Sequence, residues 1–189
     1  SGRLFFYDDF SHILDRASMY HLVPVRLEDI ESIRIWRNAQ REVLRQNEEL
    51  TKEAQETYFA TFVWPYKWVT DPSQVLYSFL EGPVCIGYGG FTHIDWVARR
   101  AELSFLLDPS RVADEDRYRR DFLFFLGEIC KEARDRWDLH QIFAETFAFR
   151  QIHIQVLEDF GFQRMAILPR RVHKRGEWVD ALIHELILK

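Results

Sequence analysis

Apolar residues recur along this chain at two spacings, which predict strands and helices respectively. Residues 101–107 alternate as in a strand, with Phe105 on one face and Glu102 on the other. Residues 122–137 instead place apolar side chains at steps of three and four, which is typical of an amphipathic helix. We therefore expect the Glu102 carboxylate on a mostly apolar strand face, close to the start of a helix.

The same two spacings predict the other elements. Strands are expected at 21–27, 75–80, 84–94, 141–146, from 162 onward and in a final hairpin of 165–168 and 178–188, and helices at 29–40, 51–63 and 152–160. Thr51 is expected to cap the second helix, and Gly161 to end the last one. Glycines inside the strand at 84–94 predict a bulge or the close approach of another backbone.

Composition places the chain among globular proteins. Its 189 residues, 47% of them hydrophobic, fit one domain at 20–189 preceded by an N-terminal arm at 1–19. The net charge of −5 gives no broad positive field, so we expect no nucleic-acid partner. The two cysteines lack disulfide or metal-site spacing, and no apolar run is long enough to span a membrane. A cytoplasmic protein is expected, and its edge strands are compatible with a homodimer.

Five local motifs, in this order, resemble the GNAT superfamily of acyl-CoA N-acyltransferases. They are Ile35-Trp36-Arg37-Asn38, Cys85-Ile86-Gly87-Tyr88-Gly89-Gly90, Ala101-Glu102-Leu103-Ser104-Phe105, Leu157-Glu158-Asp159-Phe160-Gly161-Phe162 and Gly176-Glu177-Trp178-Val179-Asp180. The first and last motifs look most like the branch of ribosomal-protein N-terminal acetyltransferases and pseudaminic-pathway amino-sugar N-acetyltransferases. The resemblance implies an α/β (α+β) fold with a mixed, mostly antiparallel sheet of about seven strands and about four helices.

The resemblance also implies an activity. Acetyl-CoA or another acyl-CoA is the expected co-substrate, and the expected acceptor is a small-molecule amine, with an amino-sugar nucleotide favoured. Independently of the resemblance, no metal is expected, because the histidines lack the spacing of metal ligands. Two alternatives remain open at this point. One is acetylation of a protein N-terminus, and the other is a GNAT-like domain that binds a partner without catalysis.

The resemblance suggests how acyl-CoA is held. In the superfamily, backbone groups of the fourth strand hold the thioester and pantetheine, and a glycine-containing loop holds the pyrophosphate. Here the window that corresponds to that loop is predicted at 117–122, where large side chains replace the small residues. Arginines are expected to bind the phosphates instead. The predicted cofactor-binding residues are Phe105, Leu106, Leu107, Arg117, Arg119, Arg120 and Arg150.

Acyl transfer to an amine needs a base, and Glu102 is the first candidate because it resembles the fourth-strand glutamate of the branch. The alternative is a structural salt bridge from Glu102 to Arg99 or Arg150. His93 is the second candidate base. Tyr118, Tyr88 and His153 are weak candidates for the acid, and Tyr118 is taken as the catalytic one.

Arg37, Asn38 and His173 are the predicted substrate-binding residues. For the first two, the alternative is that they only fix their helix to its neighbour. Basic residues around them are consistent with an acidic acceptor, although such charge runs are usually solvated turns.

Overall fold

The computed structural model describes residues 19–67 and 69–188, so residues 1–18 of the predicted N-terminal arm lie outside the described part. Seven strands form one sheet in the order β1-β2-β3-β4-β5-β7-β6. The strands are β1 Tyr20–Pro24, β2 Val75–Glu81, β3 Val84–Asp95, β4 Arg100–Leu107, β5 Gln141–Phe147, β6 Gln163–Lys174 and β7 Glu177–Ile187. The predicted strand count is therefore confirmed.

Five α-helices lie in the described part of the chain, against about four expected. They are α1 Ile30–Ala39, α2 Lys52–Tyr58, α3 Pro109–Val112, α4 Glu115–Lys131 and α5 Gln151–Phe160. The additional one is α3, a single turn between β4 and the long α4. Thr51 caps α2 as predicted, since its side chain accepts a hydrogen bond from the N–H of Ala54 at 3.1 Å. Gly161 ends α5 with a φ of 120°, which glycine adopts without strain.

The first strand is shorter than the sequence suggested. Residues 21–27 were expected to be extended, but β1 ends at Pro24 and Leu27–Asp29 form a 3₁₀ turn that leads into α1. The reason lies in the Asp29 carboxylate, which accepts hydrogen bonds from Arg26 and from the Ser78 hydroxyl. These bonds hold the chain in a turn beside β2.

Helices cover both faces of the sheet and bury two apolar clusters. On one face, Phe122 and Phe125 of α4 are fully buried against Phe79 and Phe91. On the other face, α1, α2 and the turn after them pack on Tyr88 and Leu106. Full burial of each large apolar side chain contributes about 1.5–3 kcal/mol relative to exposure.

One predicted glycine feature is confirmed in β3. A Cβ on Gly89 would lie 2.2 Å from the carbonyl oxygen of Ser104, a distance too short for a real Cβ atom. Gly90 has a φ of 148°, and its Cβ would lie 2.0 Å from the carbonyl oxygen of Val75. The two glycines therefore let β2 and β4 approach β3 closely.

The pairing of β4 with β5 positions the site. Every other neighbouring pair in the sheet is antiparallel, whereas β4 and β5 are parallel and pair only over Arg100–Glu102 and Gln141–Phe143. Beyond Glu102 the two strands diverge. Among residues 19–67 and 69–188, the edge of β4 that faces β5 therefore has no strand partner from Leu103 onward, and a gap opens in the middle of the sheet.

Candidate active site

A β-bulge brings His93 to Glu102. The β3–β4 register runs from Thr92 opposite Glu102 to Asp95 opposite Arg100, so two residues of β3 oppose Ala101 alone. His93 lies in this bulge with a φ of 48°. Its Nδ1 lies 2.9 Å from Oε2 of Glu102. The two candidate bases from the sequence are therefore one connected pair.

Glu102 is nearly buried and has a second partner. Its other carboxylate oxygen, Oε1, accepts a hydrogen bond from Nη2 of Arg45, which lies in the segment between α1 and α2. The alternative of a salt bridge from Glu102 to an arginine is therefore present, but with a different partner, because Arg99 pairs with Asp138 at 2.7 Å and Arg150 lies against Tyr118 and His153. Arg45 was not a candidate partner, since it lies 57 residues from Glu102 in the sequence.

A cavity of about 270 Å³ lies in the gap between β4 and β5, and we call it the β4–β5 cavity. Its lining residues are Arg37, Val43, Leu44, Arg45, Thr92, Glu102, Leu103, Ser104, Phe105, Ala144, Glu145, Phe147, Arg150 and His153. Glu145 projects from β5 and pairs with Arg171 of β6 at 3.0 Å. The cavity region thus combines two carboxylates with four guanidinium groups, those of Arg37, Arg45, Arg150 and Arg171.

At the α5 end of the cavity, three side chains contact one another, those of Tyr118, His153 and Arg150. The Tyr118 hydroxyl lies 2.7 Å from Nδ1 of His153. Nη2 of Arg150 lies 3.3 Å from the same Nδ1 and 3.4 Å from the Tyr118 hydroxyl. Burial lowers the pKa of His153 well below its usual range, and the nearby positive charge of Arg150 adds to this. Burial likewise raises the pKa of Tyr118, so both groups are neutral near pH 7.

The predicted cofactor segment of β4 lies beside the cavity. Phe105 turns its ring toward α4 and stacks on Phe122 at 4.4 Å between ring centroids. Leu106 and Leu107 have buried side chains, and the carbonyl oxygen of Leu107 accepts a hydrogen bond from Nε2 of Gln40 at 2.8 Å. Of the three residues, Phe105 lines the cavity itself.

The predicted phosphate-binding window is helical rather than a loop, and the phosphate-binding role of its arginines stays a prediction. Residues 117–122 lie inside α4, which begins two residues earlier. Arg119 pairs with Glu115 one helical turn away, and Arg120 lies 3.7 Å from Asp121. The mis-assignment arose because the window was aligned by sequence spacing, and the capping of α4 by Asp114 was not recognised.

The real start of α4 is acidic. The Asp114 carboxylate accepts the backbone N–H of Arg117 at 3.1 Å, and Glu115 and Asp116 occupy the first turn, all three exposed. Acidic groups stabilise a helix N-terminus, but they also occupy or repel the place where a phosphate would bind. Among residues 19–67 and 69–188, the Arg117 guanidinium has no ion-pair partner, and it is the cation nearest this turn in sequence.

The three predicted substrate-binding residues lie in different surroundings. Arg37 lines the β4–β5 cavity and has no carboxylate partner in the described part of the chain. Asn38 instead fixes the loop before α2, because its amide bonds both the N–H and the carbonyl of Leu50. His173 is exposed on β6, where its ring contacts Trp178.

The features of this site occur together in the middle of a mostly antiparallel sheet. The parallel strands β4 and β5 diverge beyond Glu102 and leave a cavity between them. The model of the acetyltransferase (GNAT) domain family matches residues 22–183. The chain belongs to this family. The predicted fold class and the assignment to a GNAT-type N-acetyltransferase are thereby confirmed, whereas the narrower branch stays a prediction. No curated protein matches the sequence.

Solved structures of GNAT proteins share this fold. The spermidine N-acetyltransferase of Vibrio cholerae in complex with CoA and spermine has a TM-score of 0.79 and 13% identity, over 90% of this chain and 96% of that one. A dodecameric form of the Vibrio cholerae enzyme in an intermediate state has a TM-score of 0.73 and 15% identity, over 90% and 95% of the two chains. At these identities the likeness shows a common fold.

Acyl-CoA, which the family implies, fits the described residues in part. The unpaired edge of β4 and the adjoining cavity suit a thioester and its pantetheine arm, which carry amides but no charge. The acidic first turn of α4 suits the pyrophosphate poorly, so Arg117 is the residue left to hold it.

No group of three His, Cys, Asp or Glu side chains in the described part is arranged to bind a metal. None of the described helices is long and apolar enough to cross a membrane.

Proposed function

We propose that this protein transfers an acyl group from acyl-CoA to the primary amine of a small acceptor that carries a negative charge. The observation that supports the acceptor class is the charge of the β4–β5 cavity. Among the described residues that line it, Arg37, Arg45 and Arg150 are opposed by two carboxylates, those of Glu102 and Glu145. A carboxylate or phosphate on the acceptor would therefore find guanidinium partners.

The amino-sugar nucleotide expected from the sequence is one member of this acceptor class. The Vibrio cholerae neighbour was solved with spermine, which is a polycation. Here both carboxylates of the cavity already have cationic partners, since Arg45 bonds Glu102 and Arg171 pairs with Glu145. A polycation would have to displace these arginines, so we expect it to be a poor acceptor.

In the proposed reaction, Glu102 and His93 remove the proton that the attacking ammonium must lose. The Glu102 carboxylate lines the cavity and contacts Nδ1 of His93. The His93 side chain is 69% exposed, so it can pass a proton from the carboxylate to solvent. Backbone N–H groups along the unpaired edge of β4 are placed to polarise the thioester carbonyl.

The test is a panel of amines incubated with acetyl-CoA, in which release of CoA thiol is measured. The panel contains amino-sugar nucleotides, amino acids, neutral amines, spermidine and peptides with free N-termini. Faster turnover of anionic amines than of neutral amines or spermidine is expected. Preference for spermidine would overturn the acceptor class, and preference for peptides would favour N-terminal acetylation. No turnover of any amine would favour the non-catalytic alternative.

A homodimer and a cytoplasmic location stay predictions. Met165 and Ile167 are exposed on β6, which is an edge strand of the sheet. Light scattering of the purified protein would give its mass in solution and test the dimer.

A further inference from the structure

The contacts at Nδ1 fix the tautomer of His153. A guanidinium can only donate hydrogen bonds, and Nη2 of Arg150 lies 3.3 Å from Nδ1. The Tyr118 hydroxyl lies closer to the same atom, at 2.7 Å. Nδ1 must therefore carry a lone pair and accept these bonds. The single proton of the neutral ring is then on Nε2.

The Nε2–H group is available to a ligand. His153 lines the β4–β5 cavity, and within residues 19–67 and 69–188 its Nε2 has no hydrogen-bond partner. The ring cannot turn freely, because it stacks on Phe122 with 4.4 Å between ring centroids and an interplanar angle of 19°. The residue as a whole is only 7% exposed. His153 is thus a fixed, neutral donor in the wall of the cavity.

Two walls of the cavity carry complementary groups. Glu102 lies on β4, and His153 lies on α5, the helix that follows β5. In acyl transfer the attacking amine and the leaving thiolate are both bonded to one tetrahedral carbon, from which only the thiolate departs. One wall therefore offers a proton acceptor for the amine, while the other offers a donor for the negative charge that develops on the leaving group.

We infer that His153 is a catalytic residue that donates its Nε2–H hydrogen bond to the thioester sulfur as the carbon–sulfur bond breaks. This inference rests on the proposed function. In the step, the amine nitrogen forms the new bond to the acyl carbon, and the electron pair of the carbon–sulfur bond moves to sulfur. The proton of the amine goes to Glu102, and the thiolate leaves hydrogen-bonded to His153 and takes its proton from solvent.

Tyr118 and Arg150 are positioning residues in this arrangement. Both hold Nδ1 as an acceptor and so keep the Nε2–H pointing into the cavity. A fixed neutral donor stabilises a developing anion effectively, because it needs no reorganisation when the charge appears. The positive charge of Arg150 adds to this effect at short range.

The test compares two acyl donors that differ in leaving group. Acetyl-CoA releases an alkyl thiolate, whereas an acetyl thioester of a nitrothiophenol releases an aryl thiolate that is more stable and needs less help. His153→Phe keeps a ring that can stack on Phe122 but removes the donor. We expect this variant to lower kcat with acetyl-CoA by about 10²–10³-fold. With the aryl thioester we expect a loss of less than about tenfold, corrected for the uncatalysed reaction.

A double variant separates the donor from the packing. His153→Phe leaves the buried Tyr118 hydroxyl without its nearest partner, and Tyr118→Phe in the same chain removes that hydroxyl. The double variant should recover thermal stability without recovering kcat. His153→Gln, which retains an N–H donor, should recover part of the activity with acetyl-CoA.

Three outcomes overturn the inference. They are equal losses with the two donors, full activity of His153→Phe, and recovery of kcat in the double variant. If the single variant does not fold, the double variant is used to compare acetyl-CoA with the aryl thioester. A wild-type protein that acylates no amine would overturn the proposed function together with this inference. If the wild type is active and His153→Phe leaves the ratio of kcat with acetyl-CoA to kcat with the aryl thioester unchanged, the inference alone is overturned.

Discussion

His93 Nδ1 contacts Oε2 of Glu102 at 2.9 Å, although Thr92 is the residue opposite Glu102 in the β3–β4 ladder. In a regular strand, neighbouring side chains point to opposite faces, so His93 would point away from Glu102. The bulge at His93 and Ile94 removes that constraint. A local irregularity of β3 thus brings together His93 and Glu102, which accept the proton in the proposed mechanism.

Removal of the Glu102 carboxylate should stop most of the turnover. We expect Glu102→Gln to lower kcat by about 10²–10⁴-fold, because the amide cannot accept the proton of the amine. The affinity for acetyl-CoA, measured by calorimetry, should change little. Glu145→Gln is the matched control, since Glu145 lines the same cavity but has no contact with His93, and its kcat should fall less than tenfold. Equal activity of Glu102→Gln and wild type would remove Glu102 from the mechanism.

Arg37 should determine the preference for anionic acceptors. Its guanidinium lines the cavity without a carboxylate partner in the described residues, so a bound carboxylate or phosphate would supply one. We expect Arg37→Gln to raise KM for an anionic amine by about tenfold, equivalent to about 1.4 kcal/mol. The KM for a neutral amine should stay the same. Arg136→Gln, at a residue that pairs with Glu132, is the control, and an equal effect on both acceptors would contradict the assignment.

The acidic first turn of α4 should weaken binding of the phosphates of acyl-CoA. Neutralising Glu115 and Asp116 as Glu115→Gln with Asp116→Asn removes two exposed negative charges and leaves the Asp114 cap intact. We expect KM for acetyl-CoA to fall about three- to thirtyfold at low salt, and less at high salt. The KM for acetyl-pantetheine, which lacks the phosphates, should not change. A parallel fall for both donors would show that the turn acts on something other than phosphate.

His153 should make folding stability fall at acidic pH. Burial lowers its pKa, with further contributions from the positive charges of Arg150 and His184, so the ring is neutral when folded. The unfolded chain protonates it below about pH 6.5, and its contribution is fully present above that pH. As pH falls toward the depressed folded pKa, stability should fall by up to about 1.4 kcal/mol per pH unit from this group.

Urea unfolding at several pH values measures this effect. The unfolding free energy of wild type minus that of His153→Phe should decrease as pH falls from 7.5 to 5, because only the wild type has this titrating ring. A difference that is constant over this range would show that His153 does not titrate differently on unfolding.

Most of the fold was predictable from local patterns. The alternation at 101–107 corresponds to β4. The three- and four-residue steps at 122–137 correspond to the second half of α4 and the π-helical turn Glu132–Arg136 that follows it. The hydroxyl cap of Thr51 and the positive φ of Gly161 also follow from local chemistry. Local patterns failed where distant groups determined the backbone. β1 ends early because of the turn that Asp29 holds against Ser78, 49 residues away. The start of α4 is a different case, since its Asp114 cap is a local signal that the sequence analysis missed.

The candidate site shows the same division. Glu102, His93 and Arg37 were identifiable from the sequence, because a polar residue on an apolar face or in a family motif is visible locally. The sequence named His153 only as a weak acid candidate, and it gave no reason to join it to Tyr118, 35 residues away. Arg45 and Glu102 are 57 residues apart, and no local spacing predicts their contact.

The sequence by itself determined the elements of this protein and their order, because strand and helix periodicities depend on neighbouring residues. It also determined which side chains are able to accept or donate a proton. The tertiary structure alone decided which of them meet. The divergence of β4 from β5, the bulge at His93 and the packing of α5 on α4 depend on contacts between distant segments. Those contacts place a carboxylate and a neutral imidazole in the walls of one cavity.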